Sequence, residues 1–238
     1  MIRLADFVME WLKSNGVDTV FTVSGGGSII LCDALDKVEG INYVCCHHEQ
    51  AVSMAAEGFA RASGRIGVGL VTTGPGGTNA ITGATCAWID SVPQLIISGQ
   101  VYLNQTIGNT GLRQQGVQEI NIIELVKPIS KYAELVTEAT DIKFHLEKAY
   151  HLATSGRPGP SWLDIPADIQ NAQIDPNMLR SYNLVDEIKS PLITDSEIET
   201  IVQKLVESQR PLIHAGHGVR IAGGQHNLTK LVEQHNIC

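Results

Sequence analysis

The sequence predicts a doubly wound α/β fold, in which a mostly parallel sheet carries helices on both faces, followed by the start of a second α/β domain. Three observations predict this class. Short apolar segments of strand length alternate with segments of helical periodicity along the first part of the chain. Residues 66–72 lack the polar alternation of a half-exposed strand, which is typical of a strand covered on both faces. Glycine-rich turns directly follow two of the predicted strands.

The individual elements follow from local patterns in chain order. Residues 5–14 place apolar side chains at helical spacing, and Asn15 and Gly16 end this helix. Residues 19–23 are β-branched and aromatic, which predicts the first strand. Further helices are predicted at 28–35, 47–64, 76–88 and 139–154, and further strands at 41–46, 66–72, 94–98 and 161–165. Residues 101–132 break the rhythm and are interpreted as a functional loop, since long irregular connections are uncommon in compact domains.

The composition predicts how the chain is divided. Residues 1–170 form the first domain, residues 171–193 a linker with scattered Asn, Asp and Pro, and residues 194–238 the beginning of a central α/β domain. This last segment predicts a helix at 194–208, a strand at 211–215 and a helix at 223–235. Because so small a unit buries too little surface to be stable alone, we expect the chain to be a fragment of a longer protein.

The bulk composition argues against several classes of function. The net charge is −8 and Lys and Arg are not clustered, so nucleic acid is not expected as a partner. Apolar runs stay well short of the ~20 residues that span a bilayer, and no membrane is expected as a partner. The five cysteines lack framework spacing, which indicates reduced thiols and a cytoplasmic location. The run Cys45-Cys46-His47-His48 is interpreted as buried thiols at a strand end rather than a metal site, because neighbours on a strand point to opposite faces.

Glu49 is the most informative residue of the chain. It lies near the start of the helix predicted at 47–64, whose other side chains are mostly small and expected to be buried. The helix dipole favours the carboxylate and burial favours the protonated acid, so a group held between the two can exchange a proton. The alternative is that Glu49 only caps the helix, as acids in first turns often do.

Two glycine-rich turns follow predicted strands, SGGG at 24–27 and TGPGGTN at 73–79. Glycines after a strand let the backbone approach a ligand closely. The second turn is not a dinucleotide fingerprint, because Asn79 occupies the place of the third glycine, and it lacks the lysine of a phosphate loop. A plain tight turn stays open as its alternative interpretation. Both turns and Glu49 are expected at the carboxyl edge of one sheet, where open α/β sheets bind ligands.

Four groups of residues carry a resemblance to a known family. They are HEQ at 48–50 with EGFAR at 57–61, TTGPGGTN at 72–79, DSVP at 90–93 with SGQ at 98–100, and SGRPGP at 155–160. In this order they resemble the pyrimidine-binding domain of thiamine-diphosphate enzymes, in the acetolactate synthase-like branch. The resemblance covers nearly all of residues 1–170. It continues weakly through 210–224, which resembles the opening of that family's central domain.

The resemblance implies roles for individual residues. Glu49 would hydrogen-bond N1′ of the cofactor's aminopyrimidine and activate it for ylide formation at C2, and the ylide attacks the carbonyl of a 2-oxo acid. The implied cofactor-binding residues are Gly25, Gly26, Gly74, Pro75, Asn79 and Gln118. Ser24 and Val117 depart from the family's pattern near the pyrimidine and the substrate, so an altered substrate pocket is expected.

The resemblance also implies the cofactors. Thiamine diphosphate is expected, with its diphosphate and Mg²⁺ held by a separate domain whose Gly-Asp-Gly motif these 238 residues do not contain. No metal ligand is therefore expected in this chain. Arg157 matches an arginine that touches flavin in true acetolactate synthases, which makes FAD a second candidate cofactor, although not every relative uses it.

One function and two alternatives result. The chain is interpreted as the N-terminal portion of a thiamine-diphosphate-dependent 2-oxo acid decarboxylase or carboligase, a lyase or transferase, and as inactive by itself. The resemblance implies a homodimer or homotetramer with active sites at subunit interfaces. The alternatives are a separate pyrimidine-domain subunit of a two-chain enzyme and a non-catalytic nucleotide-binding or regulatory α/β module. The identities of the 2-oxo acid and of the acceptor stay open.

Overall fold

The computed structural model describes residues 1–183 and 192–237 of the chain. The chain divides into two compact units, Met1–Asn183 and Leu184–Cys238. Within the described ranges, none of the helices combines the length and the apolar character that a bilayer-spanning segment requires.

The first unit is built on a parallel sheet. Its strands are β2 (Thr19–Thr22), β3 (Asn42–Cys45), β4 (Gly67–Val71), β5 (Gln94–Gln100), β6 (Tyr132–Leu135) and β7 (Pro160–Pro166). They lie in the order β3-β2-β4-β5-β7-β6, and every neighbouring pair is parallel. Two short strands, β1 (Ile2–Arg3) and β8 (Gln173–Ile174), form a separate antiparallel pair.

Helices cover both faces of this sheet. They are α1 (Leu4–Ser14), α2 (Ile29–Lys37), α3 (Glu49–Ser63), α4 (Pro75–Asp90), α5 (Ile122–Val126), α6 (Ile142–Thr154) and α7 (Ala167–Gln170). Buried side chains of α1, α2 and α6 join Leu95 and Ile97 of β5 in one core cluster. Those of α3, α4 and α5 join Ile96 in a second cluster. Since successive strand residues point to opposite faces, the clusters lie on opposite faces, and the predicted doubly wound fold is confirmed.

The central strands explain the absence of polar alternation in the sequence. Every residue of β4, β5 and β7 is buried, because helices cover these strands on both faces. By contrast, β3 at the edge of the sheet is exposed along its whole length. Cys45 at its end is therefore exposed, and the prediction of a buried thiol there was wrong.

The predicted elements of the first domain lie within a few residues of the observed ones, except in the stretch predicted as a loop at 101–132. That stretch contains α5, and β6 begins at its end. The four residues of β6 are all half-buried and mix apolar with acidic side chains. Such a short, mixed segment has no period from which a strand can be predicted.

Residues 171–183 belong to the first unit, although the predicted linker begins at 171. Strand β8 pairs with β1, and Ile174 and Leu179 are buried in the same cluster as α1. These two apolar anchors outweigh the surrounding polar composition from which a linker was predicted. The rest of the predicted linker, residues 184–191, lies outside the described residues.

The described part of the second unit contains α8 (Asp195–Glu207), α9 (Gly218–Ile221) and α10 (Gln225–His235). Helix α8 begins with a capping box, in which Thr194 and Glu197 each bond the other's backbone N–H. The strand predicted at 211–215 is not formed, and that prediction was wrong. A strand needs a neighbour for its backbone hydrogen bonds, and residues 192–237 contain no other strand.

Candidate active site

The candidate site lies at the carboxyl edge of the sheet, between β2 and β4. These strands are neighbours, but the chain leaves them toward opposite faces, to α2 after β2 and to α4 after β4. Diverging connections of this kind open a crevice at the sheet edge, the topological switch point where open α/β sheets bind ligands.

The two glycine-rich turns meet on the side chain of Thr72. The backbone N–H of Gly27 donates a hydrogen bond to Thr72 Oγ1 at 3.1 Å. A Cβ atom at Gly25 would lie 2.5 Å from the Cβ of Thr72, so no larger residue fits between the turns. Gly26, by contrast, has open space on the side where a Cβ would point and is exposed. Gly25 therefore brings the turns together, and Gly26 leaves bare backbone at the crevice.

Glu49 is the first residue of α3, but it is not the residue that caps the helix. The cap is His48, whose Nδ1 accepts a hydrogen bond from the Gln50 backbone N–H at 3.1 Å. The carboxylate of Glu49 turns instead toward α4, where Asn79 Nδ2 donates to Glu49 Oε2 at 3.0 Å. The interpretation of Glu49 as a simple cap is therefore not supported by this geometry.

The second carboxylate oxygen of Glu49 stays available. Among the described residues, Oε1 has no hydrogen-bond partner, and Glu49 is half-buried. A Cβ atom at Gly76 would lie 3.5 Å from this oxygen and 2.6 Å from the Thr72 methyl carbon. Because residue 76 has no side chain, the space beside Oε1 is kept open. Asn79 thus holds one carboxylate oxygen of Glu49, and the other has no hydrogen-bond partner among the described residues.

Gly74 and Gln118 lie against each other, although 44 positions separate them in sequence. Gly74 has φ +59°, and a Cβ atom there would lie 1.9 Å from the backbone oxygen of Gln118. Gln118 itself has φ 59°, in the left-handed region that side-chain-bearing residues rarely adopt. Pro75 follows as the first residue of α4. The structure therefore brings the predicted cofactor-binding residues of the second turn together with the exposed Gln118.

Arg157 lies away from this group. Its Nε donates to Ser91 Oγ at 2.7 Å, next to the C-terminal end of α4. Pro75 begins the same helix, whose 16 residues give it a length of about 24 Å. Arg157 and Lys131 line a cavity of about 400 Å³ with Trp88, Ile89 and Pro158. The structure therefore does not bring Arg157 together with Glu49.

A buried polar network behind the site was missed in the sequence. Asp164 on β7 accepts hydrogen bonds from Ser98 Oγ at 2.6 Å and from Gln100 Nε2 at 2.9 Å. Trp162 Nε1 donates in turn to Ser98 Oγ at 2.8 Å. The signal that could have revealed it is the presence of an acid and an amide in strands that otherwise predict full burial.

Burial raises the pKa of Asp164 to about 7, although the hydrogen bonds from Ser98 and Gln100 oppose the rise. The nearby charge of Glu119 raises this pKa further. Both oxygens of Asp164 are occupied as acceptors, which is what a carboxylate requires. Above its folded-state pKa, Asp164 is ionised while buried, and this lowers the free energy of unfolding of the protein.

The pH dependence of stability should therefore carry a contribution from Asp164. Its pKa is higher in the folded than in the unfolded chain, so stability falls as the pH rises from about 4 to about 7 and then levels, by up to about 4 kcal/mol. The measurement is urea unfolding between pH 4.5 and 8 for the wild type and Asp164→Asn. The unfolding free energy of the wild type minus that of Asp164→Asn should decrease as the pH rises. Parallel profiles for the two proteins would contradict the raised pKa of Asp164.

No group of three or more metal-binding side chains is brought together within residues 1–183 or 192–237. Cys45 and Cys46 differ in exposure, the first exposed and the second half-buried. Burial raises the pKa of the Cys46 thiol, which disfavours the thiolate that a metal would need.

Comparison with known proteins decides the family. The family model described as thiamine pyrophosphate enzyme, N-terminal TPP binding domain, matches residues 2–125, more than half of the chain. The chain belongs to this family. The matched range includes Glu49, both glycine-rich turns, Asn79 and Gln118. Thiamine pyrophosphate is another name for thiamine diphosphate.

Several acetolactate synthases are similar to this chain. It is 36% identical over 233 residues to the acetolactate synthase large subunit of Lactococcus lactis. The aligned region covers 98% of this chain and 40% of that protein. It is 39% identical over 246 residues to the isozyme 3 large subunit of Escherichia coli, 100% of this chain and 41% of that protein. The chloroplastic enzyme of Arabidopsis thaliana is 40% identical over 217 residues, 90% of this chain and 31% of that protein.

The chain thus spans about two fifths or less of these relatives' length. It is an acetolactate synthase-like, thiamine diphosphate-dependent N-terminal domain, as the resemblance in its motifs predicted.

Proposed function

We propose that this chain supplies the aminopyrimidine-binding half of the active site of a thiamine-diphosphate-dependent 2-oxo acid decarboxylase or carboligase. Glu49 is the acid that hydrogen-bonds the pyrimidine ring nitrogen. The observation that carries the proposal is its divided carboxylate, in which Asn79 holds Oε2 and Oε1 is left without a partner among the described residues. Pyruvate is the substrate to test first, because the relatives are named acetolactate synthases.

The residues at the crevice fit a flat heterocycle. Gly26 and Gly76 carry no side chain, and a Cβ at Gly76 would stand 3.5 Å from the available oxygen of Glu49. Asn79 would keep that carboxylate facing the ring, and Gly74, Pro75 and Gly25 would form rigid walls. Bound thiamine diphosphate supplies the electron sink for decarboxylation of the oxo acid. Glu49 would hold or release one proton at the pyrimidine nitrogen, which is the acid–base work left to the protein.

The crevice is open on one side, which supports a site shared between subunits. Gly26 and Gln118 are exposed, and Val117 is 82% exposed. Decarboxylation chemistry needs a site from which water is excluded, so a second protein surface would have to cover these residues. A homodimer or homotetramer would provide it. Mg²⁺ and the diphosphate are included in this proposal as parts of the bound cofactor. None of the residues named above is proposed to bind them.

Flavin is a separate part of the proposal. Arg157 would contact FAD, and support comes from its position beside Trp88 at the cavity of about 400 Å³. An aromatic ring and a guanidinium group can together bind a planar, phosphate-bearing cofactor. The absorbance spectrum of the purified full-length protein measures this directly.

The test of the proposed function is cofactor binding and turnover by the full-length protein. We expect saturable calorimetric binding of thiamine diphosphate that depends on Mg²⁺, and CO₂ release from pyruvate or another 2-oxo acid. Adding a second oxo acid or an aldehyde identifies the acceptor. Binding without turnover of any oxo acid would favour a non-catalytic module, and absence of binding would contradict the proposal.

A further inference from the structure

The side chain of Gln100, at the end of β5, is a buried junction between three parts of the first unit. It is 2% exposed. Its Oε1 accepts hydrogen bonds from Thr73 Oγ1 and from the Val101 backbone N–H. Its Nε2 donates to the Ile120 backbone oxygen at 3.1 Å and to Asp164 Oδ2 at 2.9 Å. All four hydrogen-bonding positions of the amide are therefore used.

Asp164 fixes which way this amide points. Asp164 Oδ2 accepts a hydrogen bond, as does the Ile120 carbonyl beside it, and the Val101 N–H on the other side can only donate. The nitrogen of Gln100 must therefore face Asp164 and its oxygen must face Thr73. The carboxylate is itself held by Ser98 at 2.6 Å. The reverse orientation would place the amide oxygen against two acceptors, Asp164 and the Ile120 carbonyl.

The two chain segments that Gln100 joins are walls of the candidate site. Thr73 immediately precedes Gly74, and Ile120 lies two positions after Gln118. Gly74 and Gln118 are the residues whose backbones approach so closely that no Cβ fits between them. The segment containing Gln118 is otherwise part of a long irregular stretch, which has little secondary structure of its own to hold it.

We infer that Gln100, oriented by Asp164, is a positioning residue that sets the spacing between the Thr73–Gly74 turn and the Gln118–Ile120 segment. It thereby shapes the pocket wall formed by Gly74 and Gln118. This inference rests on the proposed function for the identity of the ligand, but the positioning itself depends only on the hydrogen bonds. Gln100 does not touch the reacting atoms and acts through the two backbone segments.

The test compares two buried glutamines of the same strand. Gln94 is 0% exposed and begins β5, and its side chain donates only to the Ser53 backbone oxygen at 2.7 Å, so it joins neither wall. Gln100→Leu should weaken thiamine diphosphate binding to the full-length protein about tenfold, whereas Gln94→Leu should leave it within about twofold. Both replacements bury a leucine of similar size, but Gln100→Leu removes four hydrogen bonds and Gln94→Leu removes one. Gln100→Leu should therefore be the less stable variant, and the affinities are compared under conditions in which urea unfolding shows both to be folded.

A cofactor-free measurement separates this inference from the proposed function. Amide hydrogen exchange of peptides covering 73–79 and 116–121 should accelerate in Gln100→Leu and not in Gln94→Leu. Faster exchange with no cofactor binding by the wild type would support the positioning role and overturn the proposed function. Unchanged exchange and unchanged affinity in Gln100→Leu would overturn the inference. Should that variant not fold, Gln100→Asn, whose amide is too short to reach both walls, takes its place with the same expectations.

Asp164 provides the rescue experiment. Asp164→Leu removes the acceptor that orients Gln100 and should reproduce the exchange pattern of Gln100→Leu. Asp164→Asn keeps an oxygen that can accept from Gln100 Nε2, so exchange and affinity should stay close to wild type. If Asp164 only stabilised the fold, exchange and affinity in both variants would change simply in proportion to their loss of stability. That result would contradict the assignment.

Discussion

Replacing Glu49 with glutamine is expected to lower the turnover of the full-length protein by at least about a hundredfold, the lower range of general acid–base contributions. Glutamine has the same shape and can still accept a hydrogen bond from Asn79. It cannot take up or release a proton at the oxygen that the protein leaves without a partner. Steady-state CO₂ release measures the loss, and thermal unfolding should show that the fold is retained.

The matched control for this variant is Glu57→Gln. Glu57 is the other acid of α3, about 12 Å further along the helix axis, and it accepts from Arg61 Nε at 3.0 Å instead of contacting Asn79. Glutamine can keep that hydrogen bond, so turnover should change little. Full turnover in Glu49→Gln, or equal losses in both variants, would remove Glu49 from the proposed role.

Replacing Gly74 with alanine is expected to destabilise the first unit by roughly 3 kcal/mol and to weaken cofactor binding. Two costs combine at this position. The backbone has φ +59°, which disfavours any side chain, and the new Cβ would lie 1.9 Å from the Gln118 backbone oxygen. Since backbone atoms occupy the space, the turn and the Gln118 segment must move apart. Urea unfolding and thiamine diphosphate titration measure the two effects.

The control at Gly111 separates these costs. Gly111 has φ +74°, but nothing lies within 4 Å of the place where its Cβ would be. Gly111→Ala should therefore cost only about 1 kcal/mol for the left-handed conformation, with cofactor affinity unchanged. If Gly74→Ala were no worse than Gly111→Ala, the close contact with Gln118 would not be a constraint on the site.

Most of the fold could be predicted because the buried strands leave largely apolar segments in the sequence. The segments of β4 and β5 are of this kind, and the glycine-rich turn that follows β4 marks where that strand ends. Strand β6 could not be predicted, because its register with β7 is decided by tertiary contacts and its residues carry no period. The same is true of residues 171–183, where two apolar side chains decide the packing.

The candidate site could be predicted only in part, from the rule that the carboxyl ends of parallel strands meet at one edge of the sheet. That rule places Glu49 and the two glycine-rich turns in one region, where the structure also has them. It does not place Gln118, which lies in an irregular stretch and meets Gly74 through a backbone contact. Nor does it assign Gln100 and Asp164, because a hydrogen bond between β5 and β7 depends on the order of the strands in the sheet.

The crowding around Thr72 has an evolutionary consequence. A Cβ atom at either Gly25 or Gly76 would collide with this one side chain. A larger residue at 25 or 76 can therefore be accepted only together with a smaller one at 72, and the three positions should covary among homologues. Library designs aimed at new substrates should treat them as a single unit of mutation.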